Sequence, residues 1–348
     1  MAAKRKEQND NSDSKQNPKE ESRRPKSFYL LVFASVMAAI IAAWVYPLRN
    51  EIVDKIINRD PDPNAFKFII NFTALHKMGE FKETWKFQSA NLAFRAAKIG
   101  GKKIFDRFSA IEYGEAGNED HVLAFALYDG YECLDVAESA ERELIPRIVN
   151  DIIKKAPNSR GGAANIIANY LANFEKAVFE HAPRGTCGTT VLIGVYYKNH
   201  YNVAVMGDSS SLLLNETNSQ RSPHQPITEE HAKKIRASGA PVHFVAGSWR
   251  LGSDLRANSS IGGTLYKTKK WTEAHIVIAT DNNWGGVYPY VVAGSNGFWD
   301  VMTEEEAKAI VNQFKNEPDF GAEQLMKSAL TKGPSDHVFV VVAKLKYG

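Results

Sequence analysis

The sequence predicts a layered α+β domain that follows a single transmembrane helix. Residues 104–348 contain short runs rich in β-branched and aromatic residues, which are typical of strands. Two long segments with helical spacing follow one such run directly, so strands and helices do not alternate as they do in a Rossmann-like sheet. Upstream of this body, 22 residues without a charge are long enough to cross a bilayer.

The 348-residue chain has the composition of a globular protein with a neutral body. Hydrophobic residues make up 44% and charged residues 24%, which excludes a fully disordered or collagen-like chain. The formal net charge of +3 comes from the first 26 residues, which hold eight basic and five acidic side chains. A neutral body lacks the basic face of nucleic-acid binders, so no nucleic-acid partner is expected. The two cysteines, Cys133 and Cys187, cannot alone build a disulfide framework or a zinc site.

The N-terminal part is predicted to be a disordered tail followed by a membrane anchor. Residues 1–26 contain no aromatic residue and no Val, Ile or Leu, so they cannot bury a core. As a helix, residues 27–48 would span about 33 Å, enough for a bilayer core of about 30 Å. Tyr29, Trp44 and Tyr46 lie near its ends, as interfacial aromatics do. The alternatives are a buried core helix, which is rarely this long without a polar face, and a cleaved signal peptide with an unusually long leader.

The flanking charges leave open the side of the membrane on which the body lies. Three basic residues crowd positions 23–26, whereas basic and acidic residues are mixed downstream of the helix. The positive-inside rule then favours a cytosolic tail with the body across the membrane. Glycosylation sequons at Asn71, Asn215 and Asn258 fit that topology, although a chain with many asparagines yields some by chance.

Residues 49–103 are predicted to form a juxtamembrane helical region. Two segments, Phe66–Leu75 and Thr84–Ile99, carry apolar residues at helical spacing. Gly100 and Gly101 end this region and mark the start of the next domain, residues 104–348.

Within the body, six apolar runs predict strands, and two longer segments predict helices. The strand runs are Val122–Tyr128, Val191–Tyr197, Tyr201–Met206, His275–Ala279, Tyr290–Ala293 and Val338–Leu345. Lys198, Asn199 and His200 form a short hairpin turn between two of them. Leu134–Lys155 and Gly162–Glu180 predict two long helices.

Three acidic residues lie at the ends of predicted strands. Asp129 and Asp208 follow strands, and Asp336 precedes the last strand. Carboxylates at strand ends can converge on hard cations, which prefer oxygen ligands. Taken singly, each has a simpler interpretation, because Asp-Gly and Gly-Asp are common turn dipeptides. For Asp208 we prefer that turn interpretation.

The order of several sequence blocks resembles the PP2C (PPM) family of metal-dependent Ser/Thr protein phosphatases. The blocks are FALYDGYECLDVAE, CGTTVLIGV, YNVAVMGDSSSLLL, ITEEHAKKIRASGAPV, VVAGSNGFWDVM and SDHVFVVV. They correspond to the family's strand ending in DGHGG, its GSTA-type strand, its VGDSR hairpin, its T-x-DH segment, its SDGLWDV turn and its terminal DN. The resemblance covers residues 104–348. It implies a β-sandwich of two antiparallel sheets flanked by helix pairs, with the metal site at one end.

The resemblance also implies a set of metal-binding positions for two divalent ions, Mg or Mn. Asp129 matches the metal-bridging Asp, and Gly130 follows it with the carbonyl that would be a ligand. Asp336 matches the last metal Asp, and its neighbour is His337 where the family has Asn. The acidic pair of the family's N-terminal motif is assigned to Glu119 and Asp120.

Several positions depart from the family pattern. Asn296 replaces a metal-binding Asp and loses its negative charge, which lowers affinity for that ion. Tyr131 stands at the position of the His that donates a proton, and a phenol with a pKa of about 10 is a poor donor near neutrality. Glu115 falls at the position of the phosphate-binding Arg, a reversal of charge. Glu132 and Gly263 also differ from the Gly and Asp of the family.

These departures strike different parts of the mechanism, so the sequence favours a pseudophosphatase that holds one ion or none. Such a membrane-anchored domain would act as a binding module for a phosphoprotein or a kinase. The alternative is an active Mg- or Mn-dependent Ser/Thr phosphatase that acts on membrane-proximal phosphoproteins.

Overall fold

The computed structural model describes residues 76–77 and 84–345. Gaps within that range fall at 102, 116–117, 119, 156, 158–159, 182–184, 246, 253–254, 269–275 and 281–288. The predicted tail (1–26), membrane helix (27–48) and helix Phe66–Leu75 lie outside the described residues. Within the described part, no helix is long and apolar enough to cross a bilayer.

The described chain contains fifteen strands and seven helices. The strands are β1 (His76–Lys77), β2 (Thr84–Gln88), β3 (Leu92–Ala97), β4 (Arg107–Tyr113), β5 (Val122–Tyr131), β6 (Gly188–Tyr197), β7 (His200–Met206), β8 (Ser210–Leu214), β9 (Ser219–Arg221), β10 (Val242–Val245), β11 (Ser248–Leu251), β12 (Ile261–Gly262), β13 (Val277–Thr280), β14 (Tyr290–Gly294) and β15 (Val338–Lys344). The helices are α1 (Asp135–Lys155), α2 (Arg160–His181), α3 (Glu229–Ala237), α4 (Thr264–Thr268), α5 (Asn296–Trp299), α6 (Glu304–Gln313) and α7 (Pro318–Thr331).

Two antiparallel sheets form the body of the domain. The first has the order β1-β4-β5-β6-β7-β13, with β12 paired to β6, and the second has the order β2-β3-β15-β14-β8-β9. A separate hairpin joins β10 to β11. At the tight turn between β6 and β7, Lys198 and Asn199 have φ of 48° and 61°. Two successive left-handed residues are typical of a two-residue hairpin. The short turn predicted over Lys198, Asn199 and His200 is therefore present, with His200 as the first residue of β7.

Apolar clusters fill the spaces between the layers and confirm the predicted sandwich. One cluster lies between the two sheets, where Phe94 and Phe108 stack with ring centroids 3.9 Å apart. A second packs α1 and α2 on the first sheet, and a third packs α6 and α7 on the second sheet. Burial of these faces is the main stabilising contribution to such a fold.

The predicted helix over Thr84–Ile99 is wrong, because this segment forms β2 and β3. β3 lies between β2 and β15, and all six of its residues are buried. A strand buried on both faces does not alternate apolar and polar residues, so its sequence resembles a buried helix. The sandwich therefore begins before the predicted boundary at residue 104.

Candidate active site

A cavity of about 290 Å³ opens at one end of the sandwich, where several strand ends meet. Asp129 lies near the end of β5, and Asp106 immediately precedes β4. Because β4 and β5 are antiparallel, with Arg107 opposite Tyr128, these two carboxylates become neighbours. Asp208, after β7, and Asp336, before β15, line the same cavity. Four carboxylates that are far apart in the sequence therefore converge on one pocket.

Glycines allow the backbone to pack closely around these carboxylates. The Gly130 N–H donates a hydrogen bond of 3.1 Å to Asp106 Oδ1. A Cβ at Gly130 would lie 2.3 Å from the carbonyl oxygen of Phe105, so no larger residue fits there without a backbone shift. A Cβ at Gly297 would likewise lie 2.2 Å from the carbonyl oxygen of His337. These contacts fix the positions of Asp106, Asp129 and Asp336 relative to one another.

The carboxylates of the pocket are buried and repel one another. Burial, followed by repulsion from Asp106, Asp208 and Asp336, raises the pKa of Asp129 well above its ordinary value. Burial also raises the pKa of Asp106, and the charge of Asp336 adds to that shift. A divalent cation would relieve this repulsion, because hard cations bind carboxylate oxygens.

The donor set of this pocket fits a hard divalent cation chemically. It contains carboxylate oxygens, the Gly130 carbonyl and the buried Thr190 Oγ1, which has no hydrogen-bond partner in the described structure. As the side chains stand, however, no three Asp, Glu, His or Cys groups among the described residues are arranged to hold one ion. Asp106, Asp129 and Asp336 with the Gly130 carbonyl are the groups that would hold such an ion, which would supply positive charge for a phosphate ligand.

Asn296 lies in the pocket at the first residue of α5 and is buried. Its Nδ2 donates a hydrogen bond of 3.0 Å to Asp208 Oδ2. The amide therefore serves as a donor to a neighbouring carboxylate, a role that an Asp at this position could not fill while ionised. This contact makes Asp208 part of the pocket wall rather than only a turn residue, which corrects the sequence interpretation.

Arg256 is a cationic side chain of the pocket that sequence analysis missed. Its guanidinium forms a bidentate pair with Asp300, with N–O distances of 2.5 and 2.9 Å. Its Nε lies 3.9 Å from Asp208 Oδ2. Although burial alone lowers the pKa of Arg256, the hydrogen bonds to Asp300 and the charge of Asp208 raise it above its ordinary value. Arg256 is thus a fixed internal cation between two carboxylates.

Tyr131 is buried, with 4% of its surface exposed, and its hydroxyl lies 2.7 Å from Ser260 Oγ. A Cβ at Gly188 or Gly263 would lie 2.2 or 2.6 Å from that hydroxyl. These two glycines therefore form the niche that holds the phenol. Gly263 also has φ of 58°, so both space and backbone favour glycine where the family has Asp. Burial raises the pKa of Tyr131.

His337 is buried at the start of β15, and both of its ring nitrogens contact backbone. Nδ1 accepts a hydrogen bond of 3.1 Å from the Ile99 N–H, so Nε2 carries the proton and lies 3.2 Å from the Lys103 carbonyl oxygen. The imidazole therefore ties the backbone of Ile99 and of Lys103 to the start of β15. Lys103 itself is exposed at the pocket rim.

The structure does not bring the predicted N-terminal acidic motif to this pocket. Glu115 and Asp120 are exposed in the turn between β4 and β5, and Glu119 lies outside the described residues. Seven residues of strand separate Val122 from Asp129, which corresponds to roughly 23 Å. The assignments of Asp120 to the metal shell and of Glu115 to the phosphate position are therefore wrong. Asp106 is the acidic residue that the fold places beside Asp129.

Comparison with known proteins agrees with this fold. The family model described as Protein phosphatase 2C matches residues 94–338, which is more than half of the chain. The chain belongs to the protein phosphatase 2C family. Phosphatases of this family generally use Mg²⁺ or Mn²⁺.

Individual relatives are distant in sequence. The bovine (Bos taurus) "Protein phosphatase 1L" is 24% identical over 342 residues, which cover 93% of this chain and 92% of the relative. A rice (Oryza sativa subsp. japonica) protein, "Probable protein phosphatase 2C 52", is 23% identical over 78% of this chain. This chain spans 54% of that rice relative. These relatives are distant, and membership of the family rests on the family model over residues 94–338.

Two solved structures share the fold. A serine-threonine phosphatase 2C from Toxoplasma gondii has a TM-score of 0.58 at 16% identity, over 76% of this chain and 100% of that one. A Caenorhabditis elegans (C. elegans) sex determining protein has a TM-score of 0.59 at 15% identity, over 75% of this chain and 66% of that one. At such identities the similarity shows the PP2C fold alone.

Proposed function

We propose that this PP2C domain is impaired in phosphate-ester turnover and acts by binding a phosphoprotein or a kinase. The observation that carries this proposal is the state of three side chains in the described pocket lining: Tyr131, His337 and Arg256. Tyr131 and His337 bring a hydroxyl and an imidazole proton to the pocket lining, and Arg256 brings a cation inside the pocket. Each is already bound to another protein group.

Efficient hydrolysis needs a proton donor and a cation that respond to the developing charge. The phenol of Tyr131 has a raised pKa and is bonded to Ser260, so it cannot exchange protons readily near neutrality. The proton of His337 lies on Nε2, directed at the Lys103 carbonyl. The guanidinium of Arg256 is neutralised by Asp300 and Asp208. The protons of Tyr131 and His337 and the positive charge of Arg256 are therefore not available for turnover.

Binding requires less of the pocket than turnover does. A divalent ion on Asp106, Asp129, Asp336 and the Gly130 carbonyl would offset the carboxylate charge that otherwise repels a phosphate. Lys103, exposed at the rim, is placed to pair with an anionic ligand. Because Asn296 brings an amide where the family has a carboxylate, we expect one ion rather than two.

An active Mg- or Mn-dependent Ser/Thr phosphatase is the second candidate function. The convergence of Asp106, Asp129 and Asp336 on one pocket favours it, because these carboxylates can hold a metal ion that activates water. The two candidates differ in whether the bound phosphate ester is cleaved.

Binding of a fluorescent phosphoserine peptide to the full-length chain tests the proposal. We expect Mn²⁺-dependent binding that favours the phosphorylated over the unphosphorylated peptide, with the phosphopeptide recovered intact by mass spectrometry. Asp129→Asn should remove the Mn²⁺ dependence, and Lys103→Gln should weaken binding several-fold. Equal binding of both peptides, or release of phosphate during the measurement, would contradict the proposal.

We also propose that residues 27–48 anchor the protein in a membrane as a single span. Their length, lack of charge and terminal aromatics support this. The full chain should stay with the membrane pellet after alkaline carbonate extraction, and deletion of residues 27–48 should release it. Release of the intact full chain by carbonate would refute the anchor.

A further inference from the structure

The two cysteines of the chain lie together beside the pocket. Cys133 follows β5 and Cys187 precedes β6, and these strands pair so that Tyr131 lies opposite Gly188. Their Cα atoms are 5.3 Å apart, and the side chains form a disulfide across 54 residues of sequence. The pairing of β5 with β6 thus brings the two cysteines to bonding distance, which the sequence alone did not predict.

A disulfide in this position indicates an oxidising compartment. Disulfides persist in the secretory pathway and outside the cell and are rare in the cytosol. Glu132, immediately before Cys133, has a φ of 66°, which is unusual for a residue with a side chain. The covalent bond at the next residue restrains this left-handed conformation.

An N-glycosylation sequon lies at the surface, in the hairpin turn between β8 and β9. It consists of Asn215, Glu216 and Thr217. Asn215 Oδ1 accepts hydrogen bonds from the N–H groups of Thr217 and Asn218, at 2.9 and 2.7 Å. Glu216, Thr217 and Asn218 are exposed. A glycan on this turn would extend from the surface without entering a sheet.

A second sequon, at Asn258, is unsuited to a glycan. Asn215 and Asn258 are both half-buried, but Asn258 Nδ2, the atom to which a glycan would be attached, lies 3.4 Å from His231 Nε2. The next two residues, Ser259 and Ser260, are fully buried. The fold closes around this asparagine, so an attached sugar would have to displace packed residues. The third sequon, at Asn71, lies outside the described residues.

We infer that the PP2C domain folds on the non-cytosolic side of a membrane, where Cys133 and Cys187 are joined and Asn215 carries an N-linked glycan. The disulfide and a glycan on the exposed sequon would both form in the same, non-cytosolic compartment. The basic flank at residues 23–26 predicts the same orientation. Partners of this domain would then be secretory or extracellular phosphoproteins or kinases rather than cytosolic ones.

Expression of the full chain in eukaryotic cells tests the inference, with Asn71→Gln present throughout to remove the sequon outside the described region. Peptide N-glycosidase F should increase the electrophoretic mobility of this protein. Asn215→Gln and Thr217→Ala should each abolish the change, whereas Thr217→Ser should keep it. Asn218→Gln, in the same turn but outside any sequon, is the matched control and should leave the change intact.

The oxidation state of the two cysteines is measured in the same cells. After denaturation without reduction, both thiols should resist a polyethylene-glycol maleimide and should react fully after reduction. Labelling of both thiols before reduction would overturn the inference, and so would a protein that the glycosidase does not shift. A shift that survives Asn215→Gln and disappears with Asn258→Gln would also overturn the assignment to Asn215. None of these outcomes bears on phosphate binding or turnover.

Discussion

Removal of the Tyr131 hydroxyl is expected to destabilise the fold without altering chemistry in the pocket. The hydroxyl and Ser260 Oγ are 2.7 Å apart, and Ser260 is fully buried. In Tyr131→Phe the serine loses this partner inside the protein. Leaving a buried hydroxyl unsatisfied costs about 1–3 kcal/mol. We expect a loss of that size in the free energy of unfolding.

A double-mutant cycle with Ser260→Ala isolates the contact. The double variant should be less destabilised than the sum of the single variants, with a coupling energy of about 1 kcal/mol. Urea unfolding of the full chain, followed by tryptophan fluorescence, supplies these values. Tyr128→Phe is the matched control, because Tyr128 is buried in another cluster and its hydroxyl lies 3.1 Å from Ser109 Oγ.

The reasoning would be refuted by a destabilisation of Tyr131→Phe below about 0.3 kcal/mol alongside a normal loss for Tyr128→Phe. It would also be refuted by a variant of unchanged stability that loses phosphate release. The second result would show that the phenol takes part in proton transfer rather than in packing.

Three further predictions address packing, charge and pH. In Gly188→Ala the new Cβ would lie 2.2 Å from the Tyr131 hydroxyl, so urea unfolding should show a loss of about 1–3 kcal/mol; Gly161→Ala, with open space around its Cβ, should show none. Arg256→Met removes the cation between two carboxylates and should cost about 3 kcal/mol near neutral pH; a loss under about 0.5 kcal/mol would contradict the internal ion pair. Hydrogen bonds and an ion pair lower the pKa of the exposed Glu306 to about 2, so its stabilising effect is present above its unfolded pKa of about 4.3 and is lost as pH falls toward 2. The urea midpoints of wild type and Glu306→Gln should therefore converge in that range, and a difference independent of pH would contradict this.

The main elements of the fold could be predicted from the sequence because they carry local signals. The strands around Val191–Tyr197 and Tyr201–Met206 are β-branched and bounded by turn residues, and the helix predicted over Leu134–Lys155 has a clear apolar face. The β3 strand, Leu92–Ala97, carries no such signal. Its alanines favour a helix, and only its pairing between two other strands makes it a strand.

Pocket residues next to a recognisable strand could be predicted from the sequence. Pocket residues whose position depends on the pairing of two strands could not. Asp129, Asp336 and Asn296 could be singled out from the sequence because each follows or precedes a recognisable apolar run, and all three line the pocket. Asp106 was missed because its role depends on the antiparallel register of β4 with β5. The sequence did contain one signal for Asp106. It is an acidic residue directly before an apolar run that can pair with Val122–Tyr128.

The cation of the pocket and the disulfide had no signal in the sequence. Arg256 follows β11 in an irregular segment, and only the tertiary fold brings it to Asp300, 44 residues later. Cys133 and Cys187 are likewise joined only by the register of two strands. Such contacts are set by topology, so local pattern and composition do not contain them.

The rate of Mn²⁺-dependent phosphate release from a phosphoserine peptide tests the central claim most directly. The full-length chain is compared with its Asp129→Asn variant, and bovine protein phosphatase 1L serves as the reference. We predict equal rates for the two forms of this chain, at least about 100-fold below the reference, since a missing general acid alone costs 10²–10⁴-fold. A rate near that of the reference, supported by Mn²⁺ and abolished by Asp129→Asn, would contradict the account.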